Sequence, residues 1–521
     1  MNTWQANRFA RLAGGRVSAG RLARLAAVAS TLAVGGCMVG PSYKPPTPTM
    51  PAAYRELKSD PTTAPTTAPS LIASSNATEI RWWRGLGDRK LTDLVEKSVK
   101  ANYSVAVAEA RLREARAARQ VAQSLLYPTV GVGASALRYR LSESAASFQG
   151  LNLEDNLFTL GFDAAWVVDV FGGTRRGVEA AKANEQATDA QRRGVVLMIA
   201  AETARAYLEL RGTQRELQIE QETLQEQRQT LVVTEDKNRN GLAPYLEVLR
   251  ARTEVESTAA QIPPLQAASR HYIHVLSTLL GLEPTALSAD LEEPASIPAA
   301  SGQLAVGIPS DLLRRRPDVQ GAERQLASAT AQIGVATAQL FPQVVLGVSG
   351  GLQSRDFDNL FNGNSTNSPS TYYLAGPAIN WTVFDAGRRK AGVKFAEAQV
   401  DAAKATYQDT VLRAFREVES SLVAVDRAQE QLGDLRRLSA SARESASIAR
   451  RDYQRGILDQ LTVLDAQRQA NRADMLLAQG EVQLVVNVVT LYKALGGGWE
   501  VAEPPPATQP IAMNRKQGDV P

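Results

Sequence analysis

His271 and His274 are the only histidines in the chain and stand one helical turn apart, where two imidazoles can share a metal ion. No third ligand lies near them and the six methionines are scattered, so neither a zinc site nor a soft-metal carrier follows. No nucleophile stands with a convincing base, and neither a phosphate-binding glycine loop nor a zinc-ligand spacing occurs. The chain therefore reads as a non-enzyme without cofactor or metal, and any energy it uses must come from a partner. Its one cysteine, Cys37, excludes an intrachain disulfide.

The setting of Cys37 points to a different chemistry. Residues 1–36 carry Arg8, Arg11, Arg16, Arg21 and Arg24 and no acidic residue, then an apolar run from Leu25 to Val34 and Gly35-Gly36. A basic start, a short apolar core and small residues at a cleavage point describe a signal peptide, too short and too poorly flanked for a membrane helix. Val34-Gly35-Gly36-Cys37 resembles a bacterial lipobox, which implies cleavage before Cys37 and a covalent lipid on it. Met38 is not aspartate, which by the same logic sends the anchor to the outer membrane. Removing the leader changes the charge from +4 to −1, since 58 − 5 = 53 basic residues then face 54 acidic ones. The basic isoelectric point thus gives no argument for nucleic acid.

The elements behind these residues occur twice. Tyr453 to Arg468 reads YQRGILDQLTVLDAQR, a helix that turns at Gly456 and leaves through Leu461, Val463 and Leu464. Asn238 to Arg252 does the same at Gly241, and Leu246, Val248 and Ala251 match Leu461, Val463 and Ala466 at an offset of 215. Tyr127-Pro128 recurs as Phe341-Pro342, and Val170-Phe171 as Val383-Phe384. Helix is expected over Asp88–Leu126, Thr174–Asn240, Pro244–Leu280 with a break near Pro263-Pro264, Ser310–Leu340, and from Phe384 to Gly456 and back to Leu495. The run from Thr174 would be on the order of 100 Å long. The segments are 1–36 signal peptide, 37–80 extended lipid-anchored stretch, 81–300 first repeat, 301–495 second repeat and 496–521 tail. Arg81-Trp82-Trp83 closes the extended stretch, and paired tryptophans there suggest that its end is docked.

Inside the long helices, Val411, Phe415, Val418, Leu422, Val425, Gln429 and Leu432 alternate steps of four and three, the repeat of a left-handed supercoil. Leu197, Ala201, Ala204 and Leu208 hold the twin register. Between the helices the period falls to two. Phe158, Leu160, Phe162, Ala164, Trp166, Val168 and Val170 share one face, while Thr159, Gly161 and Asp163 take the other. Strands are expected at about 128–141, 157–171, 343–353 and 372–384, with polar loops at 142–156 and 354–371. Each has the length of a membrane-spanning strand, but lipid accepts strands only in a closed barrel. Four cannot close one, so the barrel must be shared, and three chains would give twelve strands. The fold class is α+β: a duplicated unit with very long coiled-coil helices forming a periplasmic α-barrel, and four membrane β-strands per chain.

GIPSDLLRRRPDVQGAERQLASATAQIGVATAQLFPQ (307–343) resembles the most characteristic block of the TolC/OprM-type outer-membrane efflux lipoproteins, in the NodT-like branch. CMVGPSYKPP, Trp82-Trp83 with Leu91 and Leu94, VFDAGRRK (383–390) and GILDQLTVLDAQR (456–468) resemble that family in the same order. The resemblance implies a homotrimeric outer-membrane channel with a twelve-stranded barrel, a helical tunnel and a mixed belt around it. It implies a periplasmic adaptor and an inner-membrane pump of the resistance–nodulation–division type, and passive conduction of small molecules. Asp465 matches the family's constricting aspartate; three converging carboxylates would resist closure unless protonated or cation-bound, and would favour cations. Tyr453 and Glu247 match positions that hold the tunnel shut. Leu458 stands where some relatives have arginine, leaving Asp459 as a substitute partner. Gly241, Gly456, Leu246 and Leu461 fall on hairpin tips expected to meet the adaptor. Two other readings are an exit duct for protein secretion and a lipid-anchored coiled-coil scaffold without a pore.

Overall fold

The computed structural model describes residues 38–47, 51, 53–56, 72–74, 81–140, 154–299, 304–306, 315–362 and 370–502. The expected signal peptide, Cys37, most of the extended stretch, residues 141–153, 307–314 and 363–369, and the tail from 503 lie outside the described residues. In chain order the elements are β1 (Ile72–Ser74), α1 (Arg89–Ala101), α2 (Tyr103–Ser124), β2 (Thr129–Arg140) and β3 (Glu154–Val168). Then come α3 (Gly173–Arg239), α4 (Tyr245–Leu279), α5 (Ser288–Leu291), β4 (Leu304–Val306) and α6 (Pro317–Ala338). The last are β5 (Gln343–Ser354), α7 (Phe357–Asn362), β6 (Thr371–Asn380), α8 (Arg388–Gln454) and α9 (Gln460–Ala494).

The duplication carries through to element lengths. Helices α3 and α8 each have 67 residues, α4 and α9 each have 35, α2 and α6 each have 22, and β2 and β5 each have 12. Even a tertiary bond is copied: the Trp166 indole donates to the Leu126 carbonyl at 3.0 Å, and the Trp381 indole to that of Leu340 at 3.1 Å.

By compactness the chain forms two units, each drawing on both halves of the sequence. The first comprises residues 1–46, 114–186 and 324–405. It contains one antiparallel sheet in the order β2-β3-β5-β6. Directly paired residues share a face. Phe162 pairs with Val132 and Gly350, Ala164 with Val130 and Val348, and Trp166 with Leu346, whose own partner is Pro377. The opposite face presents Thr129, Gly131, Gly133, Ser135, Thr159, Asp163, Ser349 and Gln353. One face is thus apolar across all four strands, while the other is mostly small or polar with Leu137, Val167 and Leu374 among it, the alternation expected of strands between lipid and an aqueous lumen. β2 and β6 are left as open edges.

The second unit comprises residues 47–113, 187–323 and 406–521. Trp82 and Trp83 are fully buried in its core, as the paired tryptophans predict. Trp82 stacks on Tyr492 with ring centres 5.6 Å apart and donates to the Gly497 carbonyl at 3.2 Å. The heptad residues Ala201, Ala204, Leu208, Val418, Leu422 and Val425 are buried there too, and Leu197 is buried as well. Helix α9 is long and apolar enough to cross a membrane, but its Leu484, Val485, Val488, Val489 and Leu491 belong to this core. Tyr54, from the extended stretch, stacks on Phe415 at 5.9 Å. The RRRPD block has a structural use. The buried Arg316 donates to the Ala494 carbonyl at the end of α9 (2.9 Å) and pairs with Asp318 (2.7 Å) and Glu417 (2.8 Å).

Several expectations are corrected. The helix expected over Asp88–Leu126 divides at Asn102, which is extended (ψ 131°). Its side chain takes the Ser104 N–H (2.8 Å) and donates to the Leu279 carbonyl (2.8 Å), replacing helical bonds with its own. Conversely, α4 runs through Pro263 and Pro264 without a break. Both prolines are exposed, so the carbonyls they free can bond to water. The fourth strand ends at Asn380, not 384, because Trp381 turns to Leu340 and the chain enters the Asp385–Gly387 turn. Of the segment expected as helix from Ser310, the described part begins as helix at Pro317. The loop expected at 354–371 contains α7, and β1 pairs in parallel with β4, which the sequence did not suggest.

Candidate functional site at the hairpin tips

Both hairpin turns use one device. After α3, the Leu242 N–H donates to the Lys237 carbonyl (2.8 Å) and that of Gly241 to Asn238 (2.9 Å); after α8, Ile457 donates to Asp452 (2.9 Å) and Gly456 to Tyr453 (3.0 Å). This is the Schellman closure, which requires a left-handed residue at the position of the glycine. Gly241 has φ +72° and Gly456 φ +77°. An added Cβ would meet nothing at either position, so backbone conformation alone demands glycine there. The tips are apolar on the outside: Leu242, Tyr245, Leu246, Ile457 and Leu461 are each about half exposed or more.

Tyr453 is buried against Val463 and Ala466 of α9. Lys237 places its ammonium 3.5 Å from the ring centre and donates to the Tyr453 carbonyl at 3.0 Å. Burial pushes the phenol's pKa up, Thr234 beside it pulls back, and the charge of Glu247 adds to the rise. Tyr453 and Glu247 thus share one electrostatic neighbourhood. Asp465 makes no hydrogen bond to either: it is exposed on α9 and accepts from Gln469 at 2.7 Å. Asp459 is the N-cap of α9, accepting from the Thr462 N–H (3.2 Å) and hydroxyl, and these bonds hold its pKa below the usual carboxylate range.

Above the tips, a polar seam joins α3 to α9. Gln460 donates to Thr234 (3.1 Å), Gln467 to Thr230 (3.4 Å) and Asn471 to Glu220 (3.3 Å). All but Asn471 are buried, and the amide oxygens of Gln227, Gln460 and Gln467 accept nothing from other protein groups. Within the second hairpin, by contrast, Ala446, Ala449, Val463 and Ala466 pack as an apolar seam. Apolar packing costs little to desolvate, whereas each incompletely paired amide costs about 1–3 kcal/mol. The joint between hairpins is thus polar where the seam within the second hairpin is apolar. Sequence reasoning missed both Lys237 and this seam. The only available signal was Thr and Gln recurring at heptad spacing among apolar neighbours.

In the first unit, the chain leaving Cys37 is strapped down at once. Val39 N–H donates to the Phe171 carbonyl (3.1 Å), and buried Arg176 donates to Val39 O (3.3 Å), Gly40 O (3.2 Å) and Ser42 Oγ (3.4 Å). Met38 packs on Gly172, four residues beyond the end of β3. Cys37 itself lies outside the described residues. His271 stacks edge-on against Tyr272 (5.7 Å), and among the described residues no group of three potential ligands could hold a metal.

The arrangement of an apolar-faced sheet with open edges, paired 67-residue helices and strapped N-terminus has known counterparts. A profile of the family "Outer membrane efflux protein" matches residues 94–282 and 308–497, once per repeat. The probable efflux pump outer membrane protein TtgC of Pseudomonas putida is 32% identical over 89% of this chain and 93% of its own length. Nodulation protein T of Rhizobium leguminosarum bv. trifolii is 30% identical over 90% of this chain and 96% of its own. Among solved structures, the outer-membrane channel OprN superposes with a TM-score of 0.80 at 36% identity, covering 89% of this chain and 100% of OprN. The Campylobacter jejuni CmeC outer membrane channel has a TM-score of 0.81 at 22% identity over 90% of this chain and 96% of CmeC, a likeness of fold. The chain belongs to the outer membrane efflux protein family, in its NodT-like branch, as the outer-membrane exit channel of a tripartite efflux system.

Proposed function

We propose that three copies of this chain close a twelve-stranded barrel and conduct small molecules passively, with energy supplied by an adaptor and an inner-membrane pump. The observation that carries this is the sheet. Its apolar face runs through β2, β3, β5 and β6, yet β2 and β6 have unpaired edges that lipid would not tolerate. Joining β6 of one copy to β2 of the next, three times over, removes every edge. Residues 81–300 and 301–495 act as the two repeats, after a signal peptide at 1–36 and a lipid-bearing segment from Cys37.

The strap supports a lipid on Cys37, because Met38 is held beside the foot of β3, where an acyl chain would enter the same membrane. The exposed leucines at the tips support adaptor docking there, through Gly241, Leu246, Gly456 and Leu461. Tyr453, Glu247 and Asp465 form the gate, with Lys237 as an added member.

Two measurements test the reading. Purified protein reconstituted in planar bilayers conducts, and its mass in detergent is that of three chains; a silent monomer would point to a scaffold without a pore. In a host lacking its own exit channel, co-expression with the cognate adaptor and pump restores tolerance to small toxic compounds. Rescue of protein secretion alone would reassign it as a secretion duct.

A further inference from the structure

Helix α7, in the connection between β5 and β6, has two unlike sides. Leu360 is buried, and its carbonyl accepts from Ser370 Oγ at 3.2 Å, which fixes the helix to the protein. Phe357 and Phe361, one turn apart and edge-on at 6.1 Å, are 59% and 62% exposed. Asp358 and Asn359 occupy the remaining surface and are exposed. Two phenylalanines held outward on a six-residue helix have no solvent rationale.

Their position supplies one. Phe357 meets Phe158 edge-on at 5.7 Å. Phe158 lies on the apolar face of the sheet, in line with Leu160, Phe162 and Ala164, and Tyr373, 89% exposed on β6, lies on that face too. From Phe158 to Trp166 is nine residues, about 27 Å along the strand and near the height of an outer-membrane apolar band once tilted. Beyond Phe158, that face turns polar at Asn156 and Glu154, and Arg138 and Glu154 pair at 2.9 Å. Phe357 therefore joins the apolar face where it ends, opposite the end from which the long helices depart.

From this continuity we infer that α7 is an interfacial anchor: Phe357 and Phe361 insert among the acyl chains of the outer leaflet at the rim of the barrel. The occupant is lipid, because the surface they extend is the lipid-facing one. Aromatic rings at the edge of the hydrocarbon layer fix the depth of a barrel. A helix lying there would clamp the β5–β6 connection to the membrane. This inference rests on the reading of the apolar face as the lipid face.

The test is spin-label accessibility in full-length protein reconstituted in phosphatidylcholine vesicles. Phe361→Cys, Asn359→Cys and, on the sheet face, Val132→Cys are labelled singly, with unsubstituted protein as the background for Cys37. Phe361→Cys should match Val132→Cys in being reached several-fold better by oxygen than by a water-soluble nickel chelate, with Asn359→Cys reversed. If position 361 follows Asn359, α7 projects into water and the inference fails. If it is immobile and reached by neither probe, a neighbouring subunit covers it and the inference fails equally. A water-accessible position 132 would instead overturn the barrel reading and this inference with it.

Discussion

The ammonium of Lys237 sits 3.5 Å from the centre of the Tyr453 ring and donates to the Tyr453 carbonyl at 3.0 Å. One residue thus ties the last turn of α3 to the last turn of α8, joining the two hairpins of a chain at their tips. A desolvated cation–π contact contributes about 0.5–2 kcal/mol, and the carbonyl bond adds to it. Lys237→Met should loosen the tips and raise single-channel conductance or leak in planar bilayers. Tyr453→Leu should do the same, whereas Tyr453→Phe, which keeps the ring, should stay near the parent. Equal conductance in Lys237→Met and the parent would remove Lys237 from the gate.

The seam above this clamp should make stability depend on pH. Glu220 is buried, and burial raises its pKa; Asn471 opposes the rise and the charge of Glu216 adds to it. Glu216 is itself raised by burial, with Gln479 opposing and Glu209 adding. A carboxyl whose folded pKa exceeds its unfolded value binds more protons when folded. Its contribution is fully present below the unfolded pKa, about 4.3, and is lost as pH rises through the folded value. Glu220→Gln should therefore stabilise the protein at pH 7.5. That gain should shrink towards pH 4.5 in thermal melts. A gain independent of pH would mean that Glu220 is not the titrating group.

Much of this was legible beforehand because it rests on local rules. Gly241 and Gly456 announce their turns through backbone geometry, Val418 and Leu422 their burial through a period, and Phe158 to Trp166 a membrane face through alternation. What stayed hidden depends on contacts between distant residues. Lys237 and Tyr453 lie 216 positions apart, and nothing in either neighbourhood marks them as partners. Asn102 and Pro263 misled in opposite directions. An asparagine side chain can replace helical bonds within a good helical pattern, and exposed prolines can be tolerated where water takes the freed carbonyls. Of the proposed gate, Asp465 and Glu247 were read through resemblance, since an isolated helix-face carboxylate carries no signal of its own.

Asp465 is exposed on α9 with one intrahelical bond, from Gln469. Around a threefold axis its copies would repel one another and collect cations. Asp465→Ala should raise conductance and reduce preference for cations over anions in bilayers with asymmetric salt. Asp465→Asn, which keeps the bond to Gln469, should also lose cation preference, separating charge from packing. Unchanged selectivity in both would place Asp465 away from the constriction.

The strap at the start of the described chain is set by close backbone contact. Gly40 has φ +84°, and a Cβ added there would lie 2.5 Å from the Gly334 Cα on α6. Two penalties therefore fall on Gly40→Ala, a left-handed backbone and a backbone clash that no rotamer relieves. Together these should cost about 1–3 kcal/mol, most of it spent in releasing the strap and not in unfolding the sheet. Arg176 holds the same segment through three oxygens, so Arg176→Met should release it by another route. In both variants, limited digestion with thermolysin should cut between Met38 and Thr47 well before the parent is cut there, while the sheet stays protected. Membrane fractionation gives the second readout: a barrel-spanning protein with a freed strap remains in the outer membrane. Loss of both variants from that membrane would mean that the strap is needed to assemble the barrel, not only to hold the segment after Cys37 at its foot.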